Sequence, residues 1–279
     1  MTREWDAIGT LKRPARNEFA LSFTFEVPKT SKTVISPYFV LPIALHRTSV
    51  SKRYRLEARR VLSTNFNGEL IRSWLAICDS SHVDCTSRPR WEKKFVGFRV
   101  IDVEKHCIVR MPRECRYTAL SYVWGKVDQL KLSLAKIFDW KDPGSLLDVQ
   151  LPATIRDAIS VCQLLGLRYL WVDSLCIVQD SPAEVTSQTQ NMDAIYRMAY
   201  LTIIVAAGDD SNHGIPSIQS REAVQYIGQA QGVQIGTTLA LGRNEILSST
   251  WNSRAWTLQE YALSHRRLIF TSRQIFYSC

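Results

Sequence analysis

No G-x-G-x-x-G loop, P-loop, H-E-x-x-H pair or paired C-x-x-C occurs in the 279 residues. The usual dinucleotide, nucleotide-phosphate and zinc-enzyme signatures are therefore missing. Long apolar runs are missing as well. Stretches such as "SPYFVLPIAL" are broken by proline and fall far short of the ~20 residues that a membrane helix requires. The first residues, "MTREWDAIGTLKRPARNEF", lack the apolar core of a secretory signal. No internal repeat is visible. No zinc-finger, helix-turn-helix or stacking-aromatic pattern accompanies the positive charge, so nucleic acid is not an expected partner. The seven cysteines (78, 85, 107, 115, 162, 176 and 279) form an odd, scattered set, and a reducing cytoplasmic setting is expected.

What is present is an ordinary packed composition, 46% hydrophobic and 22% charged. The net charge of +9 is concentrated at one end: residues 1–60 hold twelve Lys/Arg against five Asp/Glu, or +7, leaving +2 for the rest. Residues 1–65, with Pro14, Pro28, Pro37 and Pro42, read as a basic, partly irregular arm with one short helix near 51–62. The basic run "SKRYRLEARR" within it reads as a solvated helix face. Residues 66–111 read as a lead-in. A helix over 68–85 would bury Leu70, Ile71, Trp74 and Ile77, and "FRVIDVEKHCIVRM" (98–111) would form a β-hairpin.

Strand and helix patterns alternate through residues 112–279. "YTALSYVWG", "RYLWVDSLCIV" and "LTIIVAAG" are apolar strands. "LPATIRDAISVCQLLGL" and "QNMDAIYRMAY" are amphipathic helices between them. Near-continuous apolar strands separated by such helices predict an α/β fold, a parallel sheet flanked by helices, with the 66–111 segment as an N-terminal helical and β-hairpin extension. The Gly- and Gln-rich region at about 209–247 reads as an insertion, and "RRLIFTSRQIFYSC" as two closing strands.

In an open parallel sheet, ligands bind at the carboxyl ends of the strands. Ser121 and Trp124 lie at or just past the first strand, Asp173 inside the second, and Asp209, Asp210 and His213 after the third. An unpaired carboxylate in "YLWVDSLCIV" is costly to bury. Asp173 must cap a backbone turn, pair with a cation such as Arg254, or line a cavity. In "WNSRAWTLQE", Glu260 follows Trp256 by four residues, which on a helix puts ring and carboxylate on one face. Cys78-x3-His82-x2-Cys85 has ligand types at zinc spacing but only three of them, and a fourth would come from Cys107, Cys115 or His106. Structural zinc takes four ligands, so no metal is assigned.

"YTALSYVWG", "LPATIRDAISVCQLLGLRYLWVDSLCIVQDS", "MDAIYRMAYLTIIVAAG" and "RAWTLQE" together resemble, in order, the HET domain of fungal heterokaryon-incompatibility proteins. The resemblance covers about residues 117–262. It implies an intracellular role in nonself recognition and programmed cell death. HET domains in turn resemble TIR domains, a flavodoxin-like class in which some members cleave NAD. "LSYVWG" is similar to the first TIR strand, and "WTLQE" to the TIR helix whose Trp is followed four positions later by a glutamate. That analogy implies a TIR/flavodoxin-like sheet, Glu260 as the catalytic residue, and no cofactor beyond NAD as substrate. Ser121, Trp124, Asp173, Arg254 and Trp256 would then surround the substrate, with a Trp stacking on a planar base and Arg254 meeting a phosphate. The other reading stays open. In it Trp256 is core, Arg254 and Glu260 form a structural ion pair, and the domain signals without catalysis, by self-association or by binding a partner.

Overall fold

The computed structural model describes residues 66–86, 97–112, 115–218 and 242–279, and the backbone of five short strands outside these ranges. The chain divides into two compact units, one of residues 1–62 with 224–240 and one of 63–223 with 241–279. In the first, Ile8–Gly9 pairs with Phe23–Thr24, and Val233–Thr237 lies between Ile43–His46 and Ile227–Ala230, all antiparallel. The helix expected near 51–62 lies outside the described residues.

The second unit is built on seven strands: β1 (Arg99–Asp102), β2 (Cys107–Arg110), β3 (Thr118–Ser121), β4 (Tyr169–Trp171), β5 (Leu201–Val205), β6 (Arg267–Phe270) and β7 (Ile275–Ser278). They form one sheet in the order β7-β6-β5-β3-β4-β1-β2. The four central strands, β4, β3, β5 and β6, run parallel. The α/β class holds, but the sheet is mixed. The 98–111 hairpin is not an extension beside the sheet. Its first strand pairs antiparallel with β4, Ile101 opposite Leu170 and Asp102 opposite Tyr169. Asp102 fixes this join, since its carboxylate accepts from the backbone N–H of Glu104 and Lys105 and from the Arg168 guanidinium at 2.8 Å. At the other edge, β7 folds back antiparallel on β6.

Eight helices accompany the strands among the described residues of this unit: α1 (Gly68–Ser81), α2 (Val83–Thr86), α3 (Ala153–Leu165), α4 (Asp173–Cys176), α5 (Pro182–Thr189), α6 (Met192–Met198), α7 (Gly242–Leu247) and α8 (Thr257–Leu263). Helix α3 forms where the 3.6 periodicity places it. Ile155, Ala158, Ile159, Cys162 and Leu165 are buried, Pro152 opens it, and Gly166 closes it with φ of 70°. All five residues of β5 are buried, because the sheet is covered on both faces. Leu201, Ile203 and Val205 enter the main core, while Ile204 joins a smaller one with Trp251, Val123 and Ile269. Helix α1 packs on α3, and α6 on α8. The buried stripe of α1 is Ile71, Leu75 and Cys78; the expected Leu70 and Ile77 are 44% and 57% exposed. No helix among the described residues is long and apolar enough to cross a membrane.

Candidate functional site

Ser121 is the last residue of β3, the central strand. In the parallel register it lies beside Ile204, so its side chain shares a sheet face with Trp251. The Trp251 indole N–H donates to Ser121 Oγ at 2.7 Å, and the Ser121 hydroxyl donates to the Glu260 carboxylate. Glu260 sits in the first turn of α8 and is 5% exposed. Its helix is hooked to the sheet at its far end: Ser264 Oγ donates to the Glu260 carbonyl at 2.6 Å and lies 2.7 Å from Thr202 Oγ1 of β5. The carboxylate is thus held over the end of β3 by two strands.

Burial pushes the Glu260 carboxyl up to about 7, against the Ser121 hydrogen bond and the Arg254 charge, which lower it; Asp173 adds to the rise. At neutral pH this group stands near the midpoint between acid and carboxylate. Its environment therefore makes it chemically unusual.

The second carboxylate lies at the end of β4. The strand stops at Trp171, and Asp173 opens the short helical turn α4 and is not inside the strand. A continuous apolar run does not distinguish a strand from a strand that turns into a helix. Asp173 accepts from its neighbour's backbone, Ser174 N–H at 2.7 Å, and from the Trp124 indole N–H at 3.2 and 3.0 Å to its two oxygens. Burial raises its pKa, opposed by these two donors and by Arg254. The indole of Trp124 is thereby fixed while its ring stays part-exposed, with the Lys131 ammonium 5.6 Å from the ring centre.

Tyr122 joins the two halves. Its carbonyl accepts from the Arg254 guanidinium. Its hydroxyl lies 3.0 Å from Ser174 Oγ and accepts from Gln129 Nε2 at 3.1 Å. Arg254 does not form the direct ion pair with Glu260 that the structural reading of the sequence required; among the described residues no ion pair joins them, although the Arg254 charge lowers the Glu260 pKa. Gly125 lets the loops after β3 and β5 meet. Its φ is 75°, and a Cβ there would lie 2.7 Å from Asp210 Cα. The Asp209 carboxylate accepts from Thr250, and Asp210 closes its own turn through Asn212 N–H at 2.8 Å.

Ser121, Trp124, Asp173, Arg254 and Glu260, drawn from three separated segments, therefore meet at the carboxyl edge of the parallel strands. Trp256 does not join them. It directly precedes α8 and is 48% exposed, where Glu260 is 5% exposed. The indole in the cluster is Trp251. Sequence reasoning missed it because the four-residue spacing to Glu260 favoured Trp256, whereas Trp251 reaches Ser121 from a separate 3-10 turn. Tyr122, Gln129 and Ser174 were missed too, and only the adjacency of Tyr122 to Ser121 could have signalled them.

A family described as heterokaryon incompatibility protein (HET) matches residues 117–260, 144 of the 279 residues. The chain belongs to the HET family. The match begins one residue before β3 and ends on Glu260, so it encloses every member of the cluster. Heterokaryon incompatibility protein 6, OR allele, of Neurospora crassa is 24% identical over 187 residues, covering 53% of this chain and 27% of that protein. The chain thus spans about a quarter of the length of this curated relative. No solved structure gives a significant match.

Proposed function

We propose that this HET domain is a cytoplasmic effector of fungal nonself recognition that triggers programmed cell death, and that it does so by cleaving NAD at the Glu260 cluster. One observation carries the reading: a buried carboxylate at the end of the central parallel strand, held by Ser121 within the electrostatic reach of Arg254 and Asp173. The strand order supports it. In chain order the four parallel strands lie second-first-third-fourth, the order of flavodoxin-like sheets, whose ligands sit where the order reverses beside the first strand. Ser121 ends that strand.

The chemistry needs few groups. The C–N bond between ribose and nicotinamide breaks with its electron pair moving onto the pyridinium nitrogen, so the leaving group departs neutral and no acid is required. The ribose is left as an oxocarbenium ion, which the ionised Glu260 carboxylate stabilises until water adds and loses its proton. Trp124, fixed by Asp173, stacks on a base, and Arg254 turns towards a phosphate. Since the carboxylate is the working form, kcat/KM rises with pH through about 7 and then levels. The test is release of nicotinamide from NAD by the purified chain and by Glu260→Gln. Release by wild type alone supports the reading; equal rates, or none from wild type, overturn it.

A second reading draws on the low exposure of Glu260 and its hydrogen bond to Ser121. There the cluster is a buried polar network that fastens α8 to the sheet, and the domain signals by self-association or by binding partner domains. Toxicity with undiminished cellular NAD favours it.

A further inference from the structure

The motif Cys78-x3-His82-x2-Cys85, three ligands in the sequence, gains a fourth in the fold. Cys279, just past β7, brings its sulfur to 3.2 Å from His82 Nδ1. The Sγ atoms of Cys78, Cys85 and Cys279 and the His82 ring nitrogen all lie within 4.8 Å of one another. We propose that these four residues form a Cys3His site for a soft, tetrahedral divalent cation of the zinc type, which pins α1 and α2 to the last strand.

The backbone explains the convergence. Ile71, Leu75 and Cys78 are the buried stripe of α1, and His82 and Cys85 continue its alternating steps of four and three past the helix end. His82 ends α1 in an extended conformation, its N–H bonded to the Cys78 carbonyl at 3.0 Å, and Cys85 follows on α2 with its N–H bonded to the His82 carbonyl at 3.2 Å. Strand β7 closes the ring from the opposite side, with the Tyr277 ring 6.0 Å from that of Trp74 on α1.

The donor set and its surroundings match the ion. Four S and N donors with no carboxylate select zinc over magnesium or calcium, and a closed set of four is the structural arrangement, not the catalytic one. Zinc–sulfur bonds of about 2.3 Å put tetrahedral ligand atoms roughly 3.7 Å apart, so 4.8 Å closes with a small inward movement. Three thiolates and a dication leave one negative charge. Buried Arg266 faces it, donating from Nε to Cys78 Sγ at 3.1 Å while its Nη2 holds Asp79 at 2.6 Å. Such a partner orients the ligand and balances its charge. The free cysteines elsewhere need no metal: Cys107, Cys162 and Cys176 are buried, and neither Cys107, Cys115 nor His106 belongs to the cluster.

The test uses the whole chain, purified under reducing conditions, with Zn2+ and Co2+ as probes. The expected result is one zinc per chain. Cobalt should give the strong visible bands and thiolate charge transfer of a tetrahedral sulfur site. Cys279→Ser should lower zinc affinity by more than ~100-fold, beyond what loss of an outer-shell partner causes. Cys279→His should restore tetrahedral cobalt, and Cys115→Ser should change nothing. Absence of stoichiometric zinc, an octahedral cobalt spectrum in wild type, or an unchanged affinity in Cys279→Ser would overturn the site. So would a disulfide between two of these cysteines that persists under reductant and excludes the ion.

Discussion

Replacing Glu260 by Gln should make the protein more stable at neutral pH and should remove a pH dependence that wild type carries. Burial moves the Glu260 carboxyl from 4.5 to about 7. Below 4.5 it is protonated folded or unfolded. Between 4.5 and 7 the folded state keeps a proton that the unfolded state has released, so stability falls as pH rises, levelling above 7. The displacement corresponds to about 3 kcal/mol, close to a third of the stability of an ordinary domain. Gln keeps an oxygen to accept from Ser121 but has no charge to bury. Urea unfolding of both proteins at several values between about pH 5 and about pH 8 isolates the effect, because other titrating groups cancel in the difference. The advantage of Glu260→Gln should grow by about 2.5 kcal/mol across that range, since part of the rise lies below it. A difference that stays flat would refute the claim that Glu260 is buried with a raised pKa.

The two tryptophans of the 251–256 stretch should separate cleanly. Trp251→Ala loses a buried ring and the donor to Ser121 and should cost about 3–5 kcal/mol, whereas half-exposed Trp256→Ala should stay within about 0.5 kcal/mol, both read from denaturant midpoints. Gly166→Ala meets no atom within 4 Å and should cost only the left-handed backbone, about 1 kcal/mol. Gly125→Ala adds a collision with Asp210 and should cost clearly more; equal midpoints for the two variants would show that the loops after β3 and β5 do not meet as described. Ser121→Ala removes a hydrogen bond that lowers the Glu260 pKa, so the midpoint of the pH–rate profile should move upward.

The parts of the fold that could be read from sequence are those in which one periodicity runs unbroken between strong stops. Helix α3 lies between Pro152 and Gly166, and β5 is a β-branched run covered on both faces. Helix α5 was not readable, because "PAEVTSQT" buries only Glu184 and Gln188 and carries no apolar stripe. Glu184 is buried to pair with Arg99 of β1 at 2.6 Å, a reason that lies 85 residues away. The same limit applied at both sites. Strand ends and an odd Trp-Glu spacing flag Ser121, Asp173 and Glu260, which the fold brings together, yet the indole bonded to Ser121 is that of Trp251 and not of Trp256. Cys279 was not considered as the fourth ligand of Cys78, His82 and Cys85, since only strand pairing brings it back across 194 residues to Cys85.

The most direct test of the central claim is to express wild type and Glu260→Gln at matched levels in fungal cells and follow viability and cellular NAD together. The account predicts that wild type depletes NAD before viability falls, and that Glu260→Gln, folded and at least as stable at neutral pH, does neither. Death with NAD undiminished, or equal NAD loss from the variant, would contradict it.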